Sequence, residues 1–231
     1  DNLQISDTLC TPGQVEALPA LEVDEPTISM TFQVNDSPFA GLDGRFVTSR
    51  NIKERLEQEA IHNVALRVEA TDSADRFKVS GRGELHLAVL IENMRREGYE
   101  LGVSRPEVIF KDTDQGREEP FENLVVDIED AQQGAVMEAL GNRKAALVDM
   151  VPDGSGRVRI EYLVPTRGLI GFRSNFLTLT SGSGVMSSVF SHYAPVVTQG
   201  VAQRTSGVLV AMNQGKCLGF ALFNLQARGR L

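Results

Sequence analysis

The 231-residue chain has no tryptophan, two cysteines, three histidines and only 6% aromatic residues. Each scarcity excludes something. Cys10 and Cys217 lie far apart in sequence, which is not the disulfide framework of a secreted domain; a reducing, cytoplasmic setting is expected. A zinc site needs about four N, S or O ligands, usually in close pairs. His62, His86 and His192 form no such pair, so no metal is expected. No apolar run approaches the ~20 residues of a membrane span. No basic segment precedes an apolar one as in a signal peptide, and no membrane partner is expected. Phosphate loops are missing too. SGRGEL at 80–85 lacks the third glycine of a dinucleotide loop, and NQGKC at 213–217 fails the P-loop in spacing and final residue. No nucleotide engine is encoded.

What is present is ordinary globular material, 42% hydrophobic and 23% charged. A chain of this length buries about 70% of its unfolded surface, enough for one large domain or two ordinary ones. Net charge is −8, which argues against a uniformly basic nucleic-acid binder. The charge is uneven. Residues 1–130 hold 13 Lys and Arg against 27 Asp and Glu, a net −14; residues 131–231 hold 10 against 4, a net +6. A polyanionic partner would favour the second half. Chance variation between domains is the competing explanation.

Periodicity then gives an order of elements. TISMTFQV at 27–34 alternates as a strand, and NDSPFAGLDG is a breaker-rich loop. Thr48 or Ser49 caps a helix over about 50–62. VALRVEA at 64–70 and FKVSG at 77–81 pair around TDSAD. A helix over about 84–97 ends at Gly98, with Leu87, Leu90, Ile91 and Met94 as its core stripe. YELGVS at 99–104 is a strand. The order β-α-β-β-α-β is the ferredoxin-like arrangement. It repeats: a strand at 122–130, a helix at 132–140, a hairpin of 145–151 and 157–164 around PDGSG, a helix over about 168–180 capped by Thr166, and a strand at 185–193. Residues 105–120 read as one short strand and a polar linker. GVLVAMNQGKCLGFALFNLQ at 207–226 reads as two strands around NQGK. The fold class expected is therefore α+β: two tandem ferredoxin-like units, then the start of a β-rich C-terminal domain. The abrupt ends suggest an internal piece of a longer protein.

Few residues offer chemistry. Glu84 and His86 open the second helix two positions apart, so they point in different directions. Glu84 suits the positive end of the helix dipole, and His86 borders the core stripe. An acid/base pair and a well-made helix entry are both readings of SGRGELHL; the second is favoured. Gly81 and Gly83 are expected to supply positive φ in a tight turn. GLIG at 168–171 has the GxxG form of a KH-type RNA loop, a weak signal alone. Arg143, Lys144, Arg157, Arg159, Arg167 and Arg173 gather at helix ends and a hairpin of the second unit, where contact with a phosphate backbone places its cations. A solvated charged face is the alternative. No aromatic strands of the RRM kind are present, so base stacking is not expected.

Several motifs carry a family resemblance. PTISMTF at 26–32, SGRGELHL at 80–87 and RPEVIFKD at 105–112 resemble domain III of the elongation factor G class of translational GTPases. GNRKAALVDMVPDGSGRVRIEYLVPTRGLIGFRSNFLTLTSGSG at 141–184, with FSHYAPV after it, resembles domain V. EALPALEVDEPT, FVTSRNIKERL, HNVALRVE and GVLVAMNQGKCLGFALFNLQARGRL are similar to a ribosome-associated branch of that class with its own C-terminal domain. The resemblance implies that residues 1–25 are the tail of domain II, 26–112 domain III, 113–195 domain V, and 196–231 the truncated start of the C-terminal domain. It implies that GTP and magnesium belong to an upstream domain, so this piece holds no cofactor and is no enzyme, although the full-length protein is a GTPase. It implies a ribosome partner: the small subunit near domain III, rRNA at the large-subunit stalk base near domain V, and A-site tRNA near the C-terminal domain. The function implied is the ribosome- and RNA-binding part of a factor in 50S assembly and stress-responsive translation. The RNA-contact candidates, inferred from charge and placement, are Arg143, Lys144, Arg157, Arg167, Arg173 and Lys216; none is catalytic. Two other classes stay open: a stand-alone regulatory or small-ligand module, and an enzyme using Glu84 and His86.

Overall fold

A computed structural model describes residues 7–19, 25–38, 40–114, 116–198, 200–201 and 215–226. Two antiparallel sheets of the same topology organise it.

The first unit runs β1 (Ile28–Val34), α1 (Ser49–His62), β2 (Arg67–Ala70), β3 (Arg76–Gly81), α2 (Glu84–Glu97) and β4 (Leu101–Val103). Its sheet order is β2-β3-β1-β4, the ferredoxin-like order. The Thr48 hydroxyl accepts the Asn51 N–H at 3.3 Å and starts α1. Gly98 at φ +93 ends α2. Between the helices and the sheet, Ile28, Phe32, Ile52, Leu56, Phe77, Val79, Leu87, Leu90 and Met94 form one core. Across its top, Arg55 grips Glu97 of α2 at 2.6 Å and Glu59 of its own helix at 2.8 Å. The loop after β1 is organised by one carboxylate. Glu100 accepts N–H groups from Gly41 at 2.7 Å and Gly44 at 3.0 Å, and the Asn35 amide at 2.8 Å.

Residues 105–120 differ from the expected linker. β5 (Glu107–Val108) joins β1 on the edge that β4 occupies. β6 (Lys111–Thr113) then turns back into β7 (Gly116–Glu129), with Lys111 opposite Glu118. Alternation in this stretch is masked because its side chains are mostly charged, but the paired backbone makes it strand. Lys111 and Asp112 thus pair with the second sheet.

That sheet has the order β10-β7-β9-β8, with β8 (Ala146–Pro152), β9 (Arg157–Pro165) and β10 (Val185–Pro195). α3 (Gln133–Gly141) lies over it. Leu124, Val126, Ile128, Val136, Leu140, Val158, Ile160, Val164, Phe172 and Phe176 build the second core. The single helix expected over 168–180 is broken. α4 (Thr166–Leu169) is one turn, and α5 (Phe172–Leu179) starts anew after Gly171 at φ +69. Thr166 does not cap; its buried hydroxyl has no hydrogen-bond partner.

After residue 201, the first strand of the expected NQGK pair lies outside the described residues. The second is not a strand: Gly219–Gln226 form α6. Short apolar runs such as FALFNLQ suit either period, and backbone bonds such as Leu222 N–H to Leu218 O at 3.0 Å fix the helix.

Candidate nucleic-acid interface

The six cations expected at RNA do not form one surface. Arg143 follows α3, and its residue is 9% exposed. Its Nη1 donates to the carbonyls of Gly168 at 2.6 Å and Ile170 at 3.3 Å. The guanidinium lies 4.9 Å from the Phe172 ring centroid. Burial pushes its pKa down, as removal from water disfavours the charge. A guanidinium enclosed in this way does not meet a phosphate backbone, and Arg143 leaves the candidate set.

Arg167 leaves it as well. Its Nε and Nη2 donate to the two oxygens of Glu119 at 2.5 and 3.0 Å. Glu119 is fully buried. The same carboxylate accepts the Val197 N–H at 2.8 Å, and Arg167 donates to the Val197 carbonyl. This clasp joins the start of β7, the α4 turn and the chain beyond β10. Its acid sits in the charged run REEP, where nothing distinguishes Glu119 from Glu118 by sequence.

Arg157 is engaged on one side. Its Nε donates to Asp127 at 2.7 Å, and about a third of its side chain, 34%, is exposed. Arg159, Arg173 and Lys216 are displayed. Arg159 is 60% exposed and reaches Glu161 only at 3.4 Å. Arg173, in the first turn of α5, is exposed and has no ion pair among the described residues. Lys144 is half-buried at φ +64, and Lys216 is exposed ahead of α6. The displayed groups offer point charges and one free guanidinium fork, which suit phosphate oxygens.

Glu84 and His86 do not converge on a shared substrate. The His86 Nδ1 accepts the Arg82 N–H at 3.3 Å, and its Nε2 lies 2.9 Å from the Asn63 amide nitrogen. The imidazole therefore holds the β3–α2 corner through Arg82 and lies against Asn63 at the end of α1. Burial, and next the Arg82 charge, push its pKa down, against a smaller pull from Glu59. Glu84 turns the other way: Oε2 accepts the Gly171 N–H of the second unit at 3.1 Å. The expected positive φ is absent from this corner. Gly83 is extended at φ 176, and Gly81 is needed for space, since a Cβ there would lie 2.9 Å from the His86 Nδ1.

Among the described residues no three His, Cys, Asp or Glu gather as a metal site. No helix is long and apolar enough to cross a membrane. A hollow of about 180 Å³ on the open face of the first sheet is lined by Ser29, Thr31, Lys78 and Glu107. Pockets that enclose a small ligand usually hold about 300–1,000 Å³.

The family model described as elongation factor G C-terminus matches residues 117–204. Curated relatives match along nearly the whole chain. The large ribosomal subunit assembly factor BipA of Salmonella typhimurium is 62% identical over 99% of this chain. The proteins of the same name from Haemophilus influenzae and Buchnera aphidicola are 61% and 53% identical over 99% and 100% of it. The chain spans 38%, 37% and 38% of the length of these three relatives. Among solved structures, a Thermus thermophilus protein aligns with 81% of this chain and 44% of its own at 15% identity, with a TM-score of 0.47.

Proposed function

We propose that the chain is a segment of a BipA-family protein, a non-catalytic, ribosome-binding part of a large-subunit assembly factor. The observation that carries this is the 62% identity along 99% of the chain to proteins named for that role. The first unit corresponds to domain III and the second to domain V of the elongation factor G class, with 1–25 belonging to domain II and 196–231 to the C-terminal domain. GTP, magnesium and hydrolysis belong to the remainder of the full-length protein, which acts in the cytoplasm and in translation under stress. The second unit meets rRNA, the first lies toward the small subunit, and the C-terminal domain reaches A-site tRNA. The net +6 of residues 131–231 supports this orientation.

The contact set drawn from placement is Lys144, Arg159, Arg173 and Lys216, with Arg157 at its margin. The test is co-sedimentation of the chain with purified large ribosomal subunits. Association should fall steeply between about 50 and 200 mM salt, as phosphate contacts do. Arg159→Glu together with Arg173→Glu should reduce the bound fraction several-fold at fixed salt. A doubly reversed chain that sediments like the parent overturns the reading.

A further inference from the structure

The loop Gly168–Gly171 does more than connect α4 to α5. Ile170 belongs to the second unit in sequence but packs, partly buried, against the core of the first. Next to it, the Gly171 N–H is held by Glu84. Glu84 opens α2, and Gly171 is the N-cap of α5. One carboxylate therefore faces the positive ends of two helices, one from each unit. The loop is fastened from behind by Arg143, whose guanidinium binds the carbonyls of Gly168 and Ile170 and covers Phe172. The approach is close enough that a Cβ on Gly168 would lie 2.7 Å from the Arg143 carbonyl oxygen.

We propose that this loop is a latch between the two units, and that Arg143 is a positioning residue that fixes the angle at which the second unit is held against the first. Tandem domains reorient by default unless their interface resists it. Here a buried cation stiffens one loop, and the loop delivers one apolar plug and one hydrogen bond to the neighbouring unit. Arg143 acts on a ribosomal partner only through this geometry: it sets where Arg173, two residues past Gly171, points relative to the first unit. The latch stands independently of what the displayed cations bind.

The test is a distance measurement across the units of the whole chain. Spin labels on Asp72→Cys and Ser155→Cys, at the two hairpin tips, are placed in a Cys10→Ser, Cys217→Ser background. The parent should give one narrow distance distribution. Ile170→Ala and Glu84→Ala should broaden it while circular dichroism shows both units still folded, since Ile170 is only partly buried at the edge of the first core and Glu84 is exposed. Arg143→Gln should broaden it too, with partial restoration by Arg143→Lys, which keeps a donor for the Gly168 carbonyl. Should Arg143→Gln unfold the second unit, the first two variants decide the matter. A broad parental distribution, or a narrow one in both Ile170→Ala and Glu84→Ala, overturns the latch.

Discussion

His86 must keep Nδ1 unprotonated to accept the Arg82 N–H, so the fold selects the neutral imidazole. Burial first, and the Arg82 charge second, place its folded pKa below the ordinary 6.5. Around that pH the unfolded chain binds more protons than the folded one. The stability linked to His86 is therefore complete above about 6.5 and is lost as pH falls below it toward the folded value. The urea midpoint should drop between pH 7.5 and 5, and His86→Gln should shrink that drop. An undiminished drop in the variant would overturn the assignment to His86. Glu100 acts in a lower window: backbone N–H groups of Gly41 and Gly44 hold its carboxyl below the ordinary 4.5, so its share of stability is intact above about 4.5 and is lost as pH falls below it. The sequence placed His86 beside the core stripe of α2, and the structure puts it there. It could not show that Asn63, 23 residues away, closes the other side of the ring.

Elements whose period was clean were legible. α1 and α2 follow from their caps and their 3.6-residue apolar stripes, and the repeated β-α-β-β-α-β order follows from strand and helix signals taken together. Three elements were not. β6 and the start of β7 are too charged to show alternation. The stretch after Leu218 is too uniformly apolar to separate helix from strand. The break between α4 and α5 was hidden because Leu169, Phe172, Phe176 and Leu179 keep helical spacing straight through it. What breaks the helix is a backbone state: Gly171 at φ +69, in the left-handed region. An alanine there meets no atom within 4 Å, so its cost is conformational alone, about 1–2 kcal/mol. Gly171→Ala should lower unfolding free energy by that amount in a urea titration. A neutral result would mean that the loop relaxes into an unbroken helix without loss.

At the scale of the whole molecule, the positive charge of the second half divides into two populations. Arg143 and Arg167 are turned inward, on carbonyls and on buried Glu119. Arg159 and Arg173 face solvent. Sequence counts them alike, because side-chain charge carries no sign of direction; only the fold assigns an interior partner 48 residues away to Arg167. The division predicts a crossed result. Removing Arg167 strands the Glu119 carboxylate, a loss that in buried pairs costs about 3–5 kcal/mol. Arg167→Ala should therefore lower the urea midpoint sharply. Where the variant remains folded at low temperature, it should keep the parental salt dependence of the rRNA contact proposed above. Arg173→Ala should do the reverse: leave the midpoint in place and reduce the slope of log affinity against log salt by about 0.7–0.9, the increment of one phosphate contact. Urea titration and RNA binding at three salt concentrations give both numbers for both variants. Equal effects of the two substitutions on the slope would mean that the clasp opens to let Arg167 reach the nucleic acid, and that the inward population is smaller than the fold implies.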